Sequence, residues 1–194
     1  MHNLIAQLCK RVDDLEKLKE TIETLKLTTI ELENKTDTNE RKLIANSVEI
    51  QGISRSFNPL EVASEISLQI DAPIASTDIK KCYFKEIFAR NLKKYLLIIE
   101  FHSNLVKRNF VSKGKIFTRS QKKLVFQDEQ VIIHVNDQLS SYQKKLLYET
   151  KELAKVHKFE FVWIFNSQIL VKKAFGLQPA CVRSFEDLNN LVQL

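Results

Sequence analysis

The first part of the chain repeats apolar residues at intervals of three and four positions, from Ile5 to Leu32. This spacing places the apolar side chains in one row along a helix and is typical of a coiled coil. Opposite charges at the flanking positions favour parallel pairing of identical helices. We therefore predict a parallel dimer or trimer that forms through these core positions: Leu8, Leu15, Leu18, Ile22, Leu25 and Leu32.

The same helix has a second interpretation, in which its apolar row packs back on the rest of its own chain. The segment RVDDLE, residues 11–16, resembles a pattern found in trimeric coiled coils, but leucine at both kinds of core position discriminates poorly between dimer and trimer. The apolar pattern fades in a polar stretch after Leu32. We predict that the coiled coil occupies residues 1–45.

The next segment alternates between strand and helix signals. VEIQGI at 48–53 alternates as a half-buried strand, and Asn58 followed by Pro59 starts a helix that reaches about Ile70. Further strands are predicted at 79–88 and 94–101.

Ser103 then caps a helix that we expect to end at Gly114, and LVF at 124–126 is a candidate final strand. This order of elements is the split βαβ plan of a ferredoxin-like sheet. The sequence therefore predicts an RRM-like domain over residues 46–128.

The third segment, residues 129–194, is predicted to be a small α+β domain. It contains a strand at 131–135, a helix capped by Ser140, a β-hairpin, a short strand at 181–184 and a last helix that starts at Ser184. The whole chain is therefore expected to be α+β: a coiled coil followed by two small mixed domains.

The hairpin lies within FVWIFNSQILVKK, residues 161–173. A turn at Asn166 and Ser167 places Val162 and its alternate neighbours on a core face, and Phe161, Trp163 and Phe165 on the other face. This aromatic row beside Lys172 suits a single-stranded nucleic acid, because bases stack on aromatic rings. The alternative, which we favour from the sequence, is that the row is a second buried face, because a small domain needs its large side chains in a core.

Base stacking on the sheet of the RRM-like domain is disfavoured. RRM domains stack bases on aromatic residues of two central strands. Here Leu96 and Ile98 occupy those positions in one strand and Glu49 occupies the position in the other.

Charge indicates phosphate as a partner. The chain has a net charge of +6, and residues 46–194 carry the basic excess because residues 1–45 are nearly neutral. We predict binding of single-stranded nucleic acid, with RNA favoured. For the lysines of the helix capped by Ser140, the alternative is that they only form a solvated helix face. The candidate contacts are Lys107, Arg108, Lys113, Lys115, Arg119, Lys122, Lys123, Lys144, Lys151, Lys155, Lys158, Lys172 and Lys173.

Other function classes have little support. The glycines are too far apart for a nucleotide-binding loop, and the cysteines and histidines are too dispersed for a metal site or a disulfide framework. We expect no catalytic residues, no metal, no cofactor, no small-molecule substrate and no membrane partner. The expected location is intracellular: the cytoplasm, with the nucleus as a second compartment.

Residues 132–173 with VRSFEDL at 182–188 resemble the C-terminal domain shared by the baculoviral few-polyhedra (FP) protein and the first-reading-frame proteins of CR1/Jockey-like non-LTR retrotransposons. VEIQGI also resembles the segment that follows the coiled coil in both groups. Ser167 replaces the usual glycine of the turn, and Lys172 replaces an arginine. The matching positions are Asn136, Asp137, Leu139, Ser140, Trp163, Asn166, Ile169, Leu170, Val171, Lys173, Ser184, Asp187 and Leu188.

The resemblance implies one of two functions. The retroelement branch implies an oligomeric protein that coats single-stranded RNA and acts as a chaperone. The viral branch implies a scaffold or interaction protein that affects occlusion-body formation and nucleocapsid handling.

Overall fold

The computed structural model describes residues 2–54, 57–89, 92–126 and 129–191. The chain divides into two compact units, Met1–Glu40 and Arg41–Leu194. Mixed α and β structure with antiparallel sheets agrees with the predicted α+β class. No helix in the described part of the chain has the length and apolar character needed to cross a membrane.

The first unit lies within one long helix, α1 (His2–Ile44). Its apolar row is exposed: Leu15 is 63%, Ile22 is 50% and Leu25 is 60% accessible. The side chain of Leu8, the first predicted core position, lies outside the described residues. The removal of apolar surface from water lowers the free energy, so packing of this exposed row against another surface would be favourable.

The second unit contains the remaining elements. In chain order they are β1 (Ser47–Gln51), α2 (Pro59–Gln69), a short 3-10 helix (Ser76–Asp78), β2 (Ile79–Ala89), β3 (Leu92–Phe101), α3 (Asn104–Arg119), β4 (Leu124–Phe126), β5 (Glu129–Val131), β6 (His134–Asp137), α4 (Ser141–Val156), β7 (Phe161–Phe165), β8 (Gln168–Lys172), β9 (Ala180–Val182) and α5 (Phe185–Leu191).

The main sheet has the strand order β2-β3-β1-β6, and all its neighbouring strands are antiparallel. Its core includes Ile50, Ile66, Leu97 and Phe110, which are buried where α2 and α3 meet the sheet. The strand predicted at 124–126 forms, but it pairs with β5 in a separate two-stranded sheet. The fourth strand of the main sheet is β6, which lies beyond the predicted boundary at residue 128 and pairs with β1.

Two predicted helix starts are confirmed by their side-chain caps. The Asn58 Oδ1 atom accepts from the Leu60 N–H at 3.0 Å, and the Ser103 Oγ atom accepts from the Leu105 N–H at 3.2 Å. These bonds satisfy backbone donors that have no partner inside the helix.

The predicted end of α3 at Gly114 is wrong, because the helix continues through this glycine to Arg119. Gly114 is buried, and a Cβ atom there would lie 2.7 Å from the Val135 side chain. The glycine therefore allows α3 to approach β6 closely and does not act as a helix stop.

A second core joins α4, α5 and the sheet β7-β8-β9. Ser140 and Gln143 form the predicted capping box at the start of α4. The hairpin register is confirmed: Phe161 faces Lys172, Trp163 faces Leu170 and Phe165 faces Gln168. Asn166 and Ser167 take φ values of 48° and 57°, so the turn adopts the left-handed conformation without its usual glycine.

Candidate nucleic-acid interface

Helix α3 has an outward face of polar, cationic and apolar residues. Leu105, Arg108, Ser112, Ile116 and Arg119 recur at helical spacing and are all exposed. The opposite face of the helix packs into the main core through Phe110, Val111 and Phe117. The burial of one face therefore fixes the direction in which the two arginines point.

The aromatic row of the hairpin is exposed, which corrects the sequence-based expectation of a second buried face. Phe161 is 42% and Phe165 is 56% accessible, and Trp163 is partly accessible. The predicted core face does pack: Ile169 and Val171 are 2% and 1% accessible. A single apolar face is enough to hold the hairpin because α4 and α5 supply the rest of its core.

Lys115 connects α3 to this hairpin. Its Nζ atom lies 3.5 Å from the Asp137 carboxylate and donates to the Ile164 carbonyl oxygen at 3.4 Å. The outward face of α3 and the hairpin are therefore held next to each other.

Three clefts follow each other along this junction. The turn cleft, of about 470 Å³, includes Arg41, Asn104 and the Asn166–Ser167 turn. The α3 cleft, of about 730 Å³, lies beside it and shares Arg108, Asp137 and Asn166 with it.

The third, or hairpin cleft, of about 460 Å³, shares Arg119 with the α3 cleft. Its lining includes Phe161, Trp163, Lys172 and Phe175. Because neighbouring clefts share lining residues, the three lie in a row, which we call the track. A row of clefts suits an extended ligand better than a compact one.

One predicted contact is corrected by the structure. Lys107 is 4% accessible, its Nζ atom lies 2.8 Å from the Asp137 carboxylate, and it donates to the Ala45 carbonyl oxygen at 2.9 Å. A buried ammonium with these partners stabilises the fold and does not present a surface charge to phosphate.

Three more of the predicted cations have carboxylate partners. Lys113 pairs with Asp71 at 2.5 Å, Lys144 with Glu49 at 2.7 Å and Lys155 with Glu152 at 2.6 Å. The hydrogen bond from Lys113 and its charge lower the pKa of the Asp71 carboxyl. These pairs reduce the positive potential that the sequence alone suggests.

The remaining predicted cations form two groups: those that line the track and those that lie outside it. Arg108, Arg119 and Lys172 line the track and form no ion pair with any residue that the structure describes. The other members lie outside the lining of the three clefts, and all of them are exposed: Lys122, Lys123, Lys151, Lys158 and Lys173.

The outer face of the main sheet is covered. Leu96 and Ile98, at the usual stacking positions of an RRM, are 3% and 1% accessible, and Glu49 is 7% accessible. Lys144 reaches from α4 to the Glu49 carboxylate on this face. Nucleobases therefore have no open platform at these three positions.

Sequence reasoning missed several residues of the track. Phe175, in the loop after the hairpin, is 88% accessible, and Lys172 Nζ lies 5.4 Å from its ring centroid. Glu160 and Arg41 also line the track. The signal for Phe175 was its nearness in sequence to Lys172, but only the return of the loop over the hairpin places its ring in the cleft.

Comparison with known families gives one match. Residues 140–192 match the sequence model of a family described as Baculovirus FP protein domain 2. The match agrees with the FP part of the resemblance and covers α4, the hairpin, β9 and α5. It spans well under half of the chain. A comparison with curated proteins finds no matching relative.

Proposed function

We propose that this chain is a non-enzymatic protein that binds single-stranded nucleic acid, with RNA favoured, along the track between α3 and the hairpin. The observation that carries the proposal is the position of Arg119, which lines both the α3 cleft and the aromatic hairpin cleft. Single-strand binders combine a cationic groove for the backbone with aromatic rings for the bases. The track supplies both.

The proposed binding mode differs from that of a typical RRM. The strand order β2-β3-β1-β6 supports a ferredoxin-like topology for the main sheet, and we propose that this part of the chain is RRM-like. Because Leu96 and Ile98 are buried, the bases are proposed to contact the hairpin and not the sheet. The domain divisions at 45 and 128 remain predictions. Strand β6 follows the division at 128 but pairs with β1, which precedes it.

Self-association through α1 is proposed to multiply these weak sites. The exposed row that includes Leu15, Ile22 and Leu25 supports a parallel coiled coil of two or three chains. Several linked sites on one strand raise the overall affinity without any new contact. A protein of this kind would act as a coat or chaperone of a retroelement-type ribonucleoprotein.

A second candidate function is a scaffold of the viral few-polyhedra type. The family match at 140–192 favours it, because that match identifies an FP domain and not a nucleic-acid-binding motif. In this case the coiled coil and the C-terminal segment hold proteins, and the lysines only increase solubility.

The dependence of binding on salt separates the two candidates. The 194-residue chain is titrated with single-stranded RNA in a filter-binding assay at several salt concentrations. Three phosphate contacts per chain predict a slope of about −2 in log affinity against log salt, since each contact contributes about −0.7. A flat line contradicts nucleic-acid binding.

A variant adds an independent test of the scaffold. In the chain with Arg108, Arg119 and Lys172 all changed to Glu, the first function predicts a loss of RNA binding, because three positive charges that line the track become negative. The scaffold function predicts that recovery of protein partners is unchanged.

A further inference from the structure

The hairpin cleft contains a carboxylate that binding to a phosphate chain does not explain. Glu160 lines this cleft together with Arg119 and Lys172. A carboxylate repels phosphate and lowers the positive potential that the two cations create. One of its oxygens accepts from the Phe175 N–H at 3.1 Å, so the residue also holds the loop in place.

That structural bond leaves most of the carboxylate available. An ionised carboxylate has about four acceptor positions on its two oxygens, and the Phe175 N–H occupies one of them. The remaining positions belong to a side chain that lines a cleft with exposed aromatic rings. Acceptors beside aromatic rings suit a ligand that is flat and carries N–H donors at its edge.

We propose that the hairpin cleft is a nucleobase subsite in which Glu160 selects guanine. The inference rests on the proposed function, because it assigns one base of a bound single strand to this cleft. Phe161, Trp163 and Phe175 supply ring surface for stacking, and the accessibility of Phe161 and Phe175 leaves that surface open. Stacking alone tolerates every base.

Selection arises from the edge of the base. Guanine presents two N–H donors side by side, on N1 and on the exocyclic N2, and a carboxylate accepts both in a charge-assisted pair. Adenine and cytosine place a ring nitrogen acceptor beside their single amino group, and that acceptor repels the second oxygen. Uracil places carbonyl oxygens on both sides of its one N–H.

The cations of the cleft fit the backbone of the same nucleotide. Arg119 belongs also to the α3 cleft, so a phosphate that it binds would lie between the two clefts. Lys172 pairs with Phe161 in the hairpin register, and its ammonium lies 5.4 Å from the Phe175 ring centroid. The cleft therefore offers two cations as candidate partners for phosphates next to the base.

Trp163 allows a direct test, because it is the only tryptophan of the chain and lines this cleft. The 194-residue chain is titrated with short oligouridines that carry one central guanine or one central adenine, and the tryptophan fluorescence is recorded. We expect quenching, with the guanine oligonucleotide binding about fivefold more tightly or better.

Two variants test whether Glu160 causes the preference for guanine. Glu160→Gln keeps an acceptor for the Phe175 N–H but puts an amide donor in the cleft, so it should remove the guanine preference. Because the change also removes a charge that repels phosphate, binding of the oligouridines should become tighter for both central bases. Glu152→Gln, on α4 and paired with Lys155, is the matched control and should keep the preference. A guanine preference that survives in Glu160→Gln would overturn the proposal.

The other outcomes separate this proposal from the proposed function. If the oligonucleotides bind in the filter-binding assay without quenching Trp163, or bind equally well with guanine and adenine, the subsite is refuted and nucleic-acid binding stands. If no oligonucleotide binds, both are refuted.

Discussion

The Lys107 ammonium lies 2.8 Å from the Asp137 carboxylate, and both side chains are more than nine-tenths buried. This pair joins α3 to the end of β6, and Lys107 extends the connection to the Ala45 carbonyl oxygen. Asp137 also contacts Lys115, whose second partner is the hairpin. Asp137 therefore helps to hold the walls of the track in place.

We predict that Asp137→Asn lowers the free energy of unfolding by about 3–5 kcal/mol, because it leaves the buried Lys107 ammonium without a countercharge. Urea denaturation measures the change. Lys113→Met is the control, since it removes a lysine from an exposed pair with Asp71 and should shift the midpoint little. Equal midpoints for the two variants would show that the buried pair contributes no stability.

Gly114→Ala tests the close packing of α3 on β6. The added methyl group would lie 2.7 Å from Val135, so we expect a loss of about 1–3 kcal/mol from overpacking. Val135→Ala in the same chain removes two of the three obstructing atoms, Cγ1 and Cγ2, and should recover part of that loss. A stabilised single variant would mean that alanine only improves the helix propensity of α3.

Cys82 should react slowly in the folded protein. Burial raises the pKa of its thiol to about 12, so little thiolate is present at pH 8. We expect alkylation at pH 8 to be slower by about a hundredfold or more than in the unfolded chain, as measured by mass spectrometry of the Cys82 peptide. A similar rate in both states would contradict this.

The same pKa shift makes the stability depend on pH. The thiol stays neutral in the folded state up to about pH 12, whereas in the unfolded chain it ionises around its ordinary value of 9.0. Its contribution is therefore complete below pH 9 and is lost as the pH rises towards 12. Cys82→Ala should reduce the fall in stability across this interval.

The coiled-coil proposal predicts different effects for two neighbouring leucines of α1. Leu25 is a core position of the row and Leu27 lies outside it, although both are well exposed in the single chain. Leu25→Asp should lower the mass measured by light scattering, because a charge in the core opposes association. Leu27→Asp should leave the mass unchanged, and an equal effect of both variants would argue against this register.

Local signals predicted much of the fold. The caps at Asn58 and Ser103, the capping box at Ser140 and the hairpin register depend on residues that are close in sequence, and all are confirmed. The predicted end of α3 was wrong because Gly114 packs closely against Val135, a residue that is distant in sequence. The strand at 124–126 pairs outside the main sheet, which local patterns do not reveal.

The candidate site was harder to predict for the same reason. The sequence identifies lysines and arginines, but their carboxylate partners are distant: Asp137 for Lys107 and Glu49 for Lys144. Exposure of the aromatic row also depends on which elements cover the hairpin. The count of charged residues overestimated how many lysines are available to bind phosphate. The expectation that a small domain buries its large side chains overestimated the burial of the hairpin's aromatic row.

Charge reversal at Arg119 tests the central claim most directly, since this residue lines both the α3 cleft and the hairpin cleft. Affinity for single-stranded RNA is measured against salt for Arg119→Glu and for Lys151→Glu, an exposed position of α4 that lines none of the three clefts. We predict weaker binding and a salt slope smaller in magnitude by about 0.7 for Arg119→Glu, with little change for Lys151→Glu. Equal losses in the two variants, or no loss in Arg119→Glu, would contradict binding along this track.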